Sequence, residues 1–107
     1  MNAWDVMAME VAPHRPEVLA STVEGRAIVV SLPSGEELGD HEVHERAWVV
    51  VTRGRVEALG ENGGSGQAVP GTLFAFAPHE RRTLRALEDS QLLMLLTPWP
   101  AADRKMG

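Results

Sequence analysis

The sequence contains no cysteine and no long apolar run. Without cysteine, disulfide bonds, zinc–thiolate sites and thiol nucleophiles are excluded. The longest apolar run, Leu92 to Leu96, is far too short to span a bilayer. Residues 1–12 include Asp5 and Glu10 but no basic residue. We therefore expect no signal peptide there and predict a soluble, cytoplasmic protein.

Positive charge is also scarce. The chain has 10 lysine and arginine residues against 15 aspartate and glutamate residues, for a net charge of −5. This balance argues against binding to nucleic acid or to an anionic membrane surface. No serine lies in a nucleophile-elbow context. The glycine-rich segment 60–66 (GENGGSG) has no lysine and does not precede a helical pattern, so we do not expect it to bind phosphate.

What is present is a series of short apolar or alternating segments separated by turn signals. Turns spaced about 8–12 residues apart are typical of an all-β sandwich or barrel. A helical pattern is confined to residues 2–12, where Pro13 and Pro16 would end it. At 107 residues the chain can bury one modest core, which predicts a single domain. The predicted strands are 18–22, 26–32, 47–52, 55–59, 67–69, 72–77, 82–87 and 91–97.

Segment 35–54 (GEELGDHEVHERAWVVVTRG) places side chains capable of chemistry directly in front of the apolar run Ala47–Val51. That order is expected where a barrel encloses a lined pocket. His41 and His44 are three residues apart, so on a strand they lie on opposite faces. We expect His41 to point into the barrel, and His44 could join it only through a β-bulge.

The spacing of this segment resembles that of the cupin superfamily, whose small barrels carry a first motif G-x5-H-x-H-x3-E-x6-G. Gly35, His41 and Gly54 fit that frame. The second motif, G-x5-P-x-G-x2-H-x3-N, is followed in outline at Gly71, Pro78 (one place late), Arg82 and Ala86. The resemblance implies an all-β fold, a double-stranded β-helix or jelly-roll cupin barrel. It would be one domain over 1–107, with its core at about 26–97, a short N-terminal helix or extension in 1–25, and a C-terminal tail in 98–107.

The departures from these motifs concern the metal ligands. Cupins that bind a metal use two histidines and the glutamate of the first motif, and the histidine of the second. Here those positions hold His41, Val43, Ala47 and Arg82. One ligand of four does not hold a transition metal, so the resemblance implies a degenerate site and no cofactor. The alternative is a shifted site for iron, nickel, zinc or manganese, supporting isomerase or oxygenase activity. Its ligands would be His41, His44, Glu45 and His79.

Arg82 is the most informative of these substitutions. If it points inward, its guanidinium could hold a carboxylate or phosphate of a ligand in a bidentate contact. It could instead pair within the chain with Glu45 or Glu80. If it points outward, it belongs to an exposed loop together with Arg81.

An apolar barrel interior would complete a pocket for a small, partly apolar ligand. The positions predicted to line it are Val43, Ala47, Val49 and Val51, with Leu73, Ala75, Leu84 and either Trp48 or Phe74 nearby. With His41 and Arg82, they predict a module that binds or senses a small anionic molecule. A third hypothesis is a barrel filled by its own side chains that serves only for oligomerisation.

Two predicted strands, 47–52 and 91–97, have no polar face. Only one face of a barrel strand points inward, so the outer faces of these strands need cover. The residues concerned are Trp48, Val50, Leu93 and Leu95. We predict a homodimer formed by these outer faces, and cover by residues 1–12 of the same chain is the alternative.

Overall fold

The computed structural model describes residues 1–39, 45–60, 65–80 and 82–98, and nearly all of its regular structure is β-strand. The strands are β1 (Glu17–Thr22), β2 (Gly25–Leu32), β3 (Glu37–Gly39), β4 (Arg46–Arg53), β5 (Val56–Gly60), β6 (Ser65–Ala68), β7 (Leu73–Phe76), β8 (Arg82–Ala86) and β9 (Ser90–Thr97). The all-β prediction is confirmed. The helix predicted for residues 2–12 is reduced to one 3-10 turn, Val6–Ala8. Within these ranges no helix has the length and apolar character needed to cross a membrane.

The strands form two antiparallel sheets. Sheet A has the order β1-β2-β9-β4-β7, and sheet B has the order β3-β8-β5-β6. Strand β3 was not predicted from the sequence, and it joins sheet B by pairing with β8. Strand β1 falls within the predicted N-terminal extension and forms one edge of sheet A.

Alternation along the strands divides each sheet into an inner and an outer face. In β4, Ala47, Val49 and Val51 are buried, whereas the alternate residues Trp48 and Val50 are half-buried. Successive side chains of a strand point to opposite faces, so the buried set faces sheet B. The shared core comprises Val30, Leu32, Val49, Val51, Val56, Ala68, Leu84, Ala86 and Leu92.

One end of this core, which we call the sealed end, is closed by turns. Val51, Val56 and Leu92 there have no exposed surface. The Ser90 hydroxyl accepts a hydrogen bond from the Arg55 backbone N–H at 3.0 Å. A carboxylate oxygen of Asp89 accepts one from the Ser34 N–H at 2.9 Å. The turn before β9 therefore ties together the turns that follow β2 and β4.

The outer face of sheet B is charged. Arg85 on β8 donates to Glu37 on β3 at 2.9 Å and to Glu57 on β5 at 3.0 Å. The hydrogen bond and the charge of Glu37 raise the pKa of Arg85, and Glu57 adds to the effect. Since Arg85 and Glu37 are each more than 40% exposed, this row is a solvated surface.

The outer face of sheet A is apolar at its centre, between Arg46 at one end of β4 and Arg53 at the other. Two successive rows across β2, β9, β4 and β7 pair Ala27, Leu95, Trp48 and Ala75, and then Val29, Leu93, Val50 and Leu73. The prediction that Leu73 and Ala75 lie near the interior lining is therefore wrong, because the register with β4 puts both on this outer face, where they are exposed. Leu73 is 55% exposed and Leu95 is 39% exposed.

Residues 1–16, which we call the arm, cross one end of this outer face. Gln91 donates from Nε2 to the Met9 carbonyl at 3.1 Å, and its Oε1 accepts from the Val11 N–H at 3.3 Å. The guanidinium of Arg53 donates to the carbonyl oxygens of Met7 and Met9. The alternative prediction of cover within the chain thus holds at this end. The exposure of Leu73 and Leu95 shows that it does not extend over the whole face.

Candidate functional site

The end of the barrel opposite the sealed end, the open end, has a half-buried apolar wall. Among the described residues, the side chains that pack against the core while keeping part of their surface accessible are Ile28, Leu38, Ala58, Phe74, Phe76 and Met94. The rings of Phe74 and Phe76 stack with their centroids 5.9 Å apart. Such a graded interior, closed at one end and partly accessible at the other, is typical of a barrel with a binding pocket at its mouth.

The row of sheet A nearest the open end contains a charged residue that the sequence did not single out. Arg26, Leu96, Ala47 and Phe76 lie side by side across four strands. Arg26 has the same alternation as the core residue Val30, so it lies on the inner face. An ion pair joins Arg26 to Glu45, which directly precedes β4. The open end therefore carries a polar rim next to an apolar wall.

The described partners of two carboxylates bear on Arg82. Glu45 and Glu80 were both considered as partners for Arg82. Glu45 pairs with Arg26, and a carboxylate oxygen of Glu80 accepts a hydrogen bond from the Ala77 N–H at 2.8 Å. The side chain of Arg82 lies outside the described part, so its pairing with Glu45 or Glu80 stays a prediction.

The predicted ligand-binding residues are described only in part. Ala47 is 4% exposed and Val49 is 1% exposed, and both lie on the inner face of β4. Arg82 begins β8 and pairs with Gly60 of β5, and its side chain lies outside the described part. His41 and Val43 also lie outside the described residues, so their predicted roles stay predictions.

The donors of the predicted shifted metal site are not brought together among the described residues. Glu45 is held by Arg26, and His79 lies in the β7–β8 connection with a φ of 66°. His41 and His44 fall outside the described ranges. Within those ranges, no three histidine, aspartate or glutamate side chains form a group that could hold a metal ion.

The position where metal-binding cupins carry a glutamate offers no ligand. Ala47 occupies it, and its neighbours in the same row are Leu96 and Phe76. A divalent cation needs nitrogen, oxygen or thiolate ligands, and this apolar surround provides none. The residues that are described do not fit a metal centre of that type.

Sequence reasoning missed Arg26 and every residue of the apolar wall except Phe74, namely Ile28, Leu38, Ala58, Phe76 and Met94. Alternation along β2 could have identified Arg26, because it is two and four residues before the apolar Ile28 and Val30. No comparable signal was available for Phe76, because β7 is apolar at every position. Which of its residues face inward is set by the pairing with β4.

Neither the models of protein families nor the curated protein sequences contain a match to this chain. Solved structures do. An RmlC-like cupin protein from Desulfovibrio desulfuricans superposes with a TM-score of 0.79 at 17% identity, covering 92% of this chain and 97% of its own.

Two further solved structures superpose on this chain over most of its length. A cupin superfamily protein from Desulfitobacterium hafniense has a TM-score of 0.76 at 13% identity, covering 85% of this chain and 84% of its own. KdgF from a Halomonas species has a TM-score of 0.73 at 24% identity, covering 89% and 90%. Together with two antiparallel sheets around one core, these likenesses establish the architecture: the chain has the fold of the small RmlC-like cupins.

Proposed function

We propose that this protein binds or senses a small, partly apolar anion at the open end of its barrel, without a metal ion. The observation that carries the proposal is the contrast between the two ends of the core. Val51, Val56 and Leu92 are fully buried at one end, whereas the apolar wall at the other remains accessible. An accessible apolar surface with a few polar groups at its rim is the usual composition of a ligand site.

The proposed anchor for the anionic group is Arg82, with His41 beside it. The alternation of β8 supports this choice. Leu84 and Ala86 are buried on the inner face, and position 82 precedes Leu84 by two residues, the spacing that returns to the same face of a strand. A guanidinium binds a carboxylate through two parallel hydrogen bonds, which fixes the orientation of the ligand. The apolar part of the ligand would then rest on Phe74, Phe76 and Met94.

Thermal unfolding in the presence of small aliphatic and aromatic carboxylates tests this proposal. A ligand that binds only the folded state stabilises it by about 2.7 kcal/mol at a concentration of about 100 times Kd. For a domain of this size that is a rise in Tm of roughly 10 °C or more. Arg82→Ala removes the charged hydrogen bonds and is expected to weaken binding by about tenfold or more.

Two further variants test whether the effect depends on the location of the charge and on the space at the open end. Arg55→Ala removes the same charge from the sealed end, where Arg55 pairs with Glu88 at 3.3 Å, and is expected to leave binding unchanged. Ala58→Leu fills space at the open end without changing charge, and is expected to weaken binding. Stabilisation that is equal in wild type, Arg82→Ala and Ala58→Leu would count against the proposed site.

We also expect protein purified without a histidine tag to contain far less than one transition-metal ion per chain. The reason is that three of the four ligand positions hold Val43, Ala47 and Arg82. Elemental analysis provides the measurement. Near-stoichiometric metal that disappears in a His41→Ala/His44→Ala variant would refute the metal-free proposal in favour of the shifted metal site and a metal-dependent enzyme.

A further inference from the structure

A polar row crosses the outer face of sheet A at the sealed end of the barrel, beyond the two apolar rows. Ser31 of β2, Gln91 of β9 and Arg53 of β4 lie side by side in it. Gln91, at the centre, is only 3% exposed. A buried polar side chain needs hydrogen-bond partners, so whatever covers this row must offer polar groups.

Arg53 belongs to this row because of a β-bulge. Its position in the sequence continues the alternation of Val49 and Val51, whose side chains are buried in the core. The register with β9 shifts between Val51 and Arg53, and the shift places Arg53 opposite Gln91 on the outer face. Bulges that re-aim one side chain are common next to functional sites. This bulge brings to the outer face a cation that regular pairing would direct into the core.

The arm covers this row incompletely, and a cavity of about 200 Å³ lies between them. Glu10 and Val11 of the arm line one side of the cavity, and the polar row lines the other together with Asp89 and Ser90. Val11 is the one apolar residue of this lining within the described chain. Since a water molecule takes up about 30 Å³ of the liquid, the cavity suits a polar molecule of roughly six or seven non-hydrogen atoms.

Several groups around the cavity have hydrogen-bonding capacity that the described residues do not use. Arg53 donates from Nη2 to the carbonyl oxygens of Met7 and Met9, which leaves the N–H groups of Nε and Nη1 for other acceptors. The carboxylate of Glu10 and the hydroxyl of Ser31 have no hydrogen-bond partner in the described ranges. The lining therefore offers both donors and acceptors to a molecule in the cavity.

The charges around the cavity have both signs. Glu10 and Asp89 contribute two carboxylates, and Arg53 contributes one guanidinium. One oxygen of Asp89 accepts a hydrogen bond from the Ser34 N–H, and the second oxygen has no other partner among the residues that are described. The two carboxylates repel a ligand that carries only an anion, and the guanidinium repels a ligand that carries only a cation. A small molecule with one charge of each sign matches all three groups.

We propose that this cavity binds a small zwitterion of the α-amino acid type and that the bound ligand fastens the arm to the barrel. The carboxylate of the ligand accepts hydrogen bonds from Arg53 and Ser31, and its ammonium group donates to Glu10 and Asp89. Glu10 belongs to the arm and the other three residues belong to the barrel, so one ligand bridges the two. This site is at the sealed end and does not depend on the proposed anion site at the open end.

NMR titration of the full chain with L-alanine tests the site. The amide signals of Val11 and Ser31 and the side-chain amide of Gln91 should shift in a saturable way, and the methyl signal of Ile28 at the open end should not move. Propionate and ethylamine each keep one of the two charged groups of alanine. Each should bind about tenfold more weakly or worse, because one set of charged hydrogen bonds is missing.

Two outcomes of this titration would overturn the proposed site. One is the absence of saturable shifts at the cavity with L-alanine, L-serine and glycine alike. The other is binding of propionate, ethylamine or uncharged glycerol that is as tight as that of alanine, because charge of both signs would then play no part.

Hydrogen exchange of the Val11 N–H tests whether the ligand fastens the arm. This N–H donates to Gln91 Oε1 at 3.3 Å when the arm is docked, so its exchange reports opening of the arm. A ligand that binds only the docked arm lowers the open population, and exchange should slow about tenfold at an alanine concentration of about ten times Kd. An unchanged exchange rate in alanine-saturated protein would contradict the fastening of the arm.

Variants on the two sides of the cavity complete the test. Glu10→Gln removes the charge of the arm without shortening the side chain, and Ser31→Leu fills the cavity from the barrel side. Both should weaken alanine binding about tenfold or more. Glu17→Gln is the matched control, because Glu17 lies next to the arm but outside this cavity, and it should bind alanine as the wild type does. Wild-type affinity in both Glu10→Gln and Ser31→Leu would refute the proposed site.

Discussion

Replacing Gly54 with alanine is expected to destabilise the barrel by more than about 4 kcal/mol, a loss large enough to leave little folded protein. Gly54 follows β4 with a φ of +82°, which disfavours any residue with a Cβ. A Cβ at this position would also lie 2.7 Å from Ser90 Cα and in collision with the Ser90 hydroxyl and the Asp89 carbonyl. Because two of these neighbours are backbone atoms, the clash cannot be relieved by a side-chain rotation.

The Gly35→Ala variant separates the cost of the backbone conformation from the cost of the steric clash. Gly35 has a φ of +86°, yet nothing lies within 4 Å of where its Cβ would be. It therefore carries the conformational cost alone, about 1–2 kcal/mol. Urea unfolding of both variants measures the difference. Equal losses for Gly35→Ala and Gly54→Ala would mean that the close approach of the turn before β9 to Gly54 contributes nothing.

Leu92→Ala is expected to lower the free energy of unfolding by about 2–5 kcal/mol. Leu92 has no exposed surface and lies on the inner face of β9, between Val30 and Val51 in the same row. The loss combines the burial energy of the removed methyl groups with the cavity left behind at the sealed end. Tm and urea midpoints measure it.

Leu95→Ala on the same strand is the matched control. Leu95 is 39% exposed on the outer face, so its truncation should cost much less than that of Leu92 in dilute protein. If a second copy covers this face, the cost of Leu95→Ala should grow with protein concentration, because association stabilises the folded state. Equal losses at both positions in dilute protein would contradict the assignment of inner and outer faces.

The sequence predicted the strands well because turn residues and alternation are local signals. Of the nine strands in the described ranges, eight lie where turns and apolar runs indicated. The exception is β3, since Glu37–Gly39 contains one apolar residue and offers no period to detect. The helix expected for residues 2–12 shrank to a single turn, since isolated helices of that length are unstable and the arm binds the barrel through its main chain instead.

The site was harder to predict because it depends on how the strands are aligned with one another in the sheets. Arg26 and Glu45 are 19 positions apart and meet only when β2, β9 and β4 are aligned in sheet A. Likewise, the run TLFAFA is apolar at nearly every position, so its sequence shows no alternation that would indicate the inner face. Phe74 and Phe76 face inward in the structure, and Leu73 and Ala75 face outward. The sequence does contain an indication that Gln91 forms hydrogen bonds. It is a polar residue at the start of an apolar strand, and a buried polar side chain needs hydrogen-bond partners.

The proposed ligand site is tested most directly by the methyl resonance of Ile28, the one isoleucine in the chain. Its side chain lies in the accessible wall of the open end, whereas the methyl groups of Leu92 lie at the sealed end. Titration with a carboxylate that stabilises the protein should shift the Ile28 and Met94 methyl signals in a saturable way, leave those of Leu92 nearly unchanged, and have far less effect in Arg82→Ala. Saturable shifts confined to residues outside the open end, or shifts unaltered in Arg82→Ala, would contradict the proposed site.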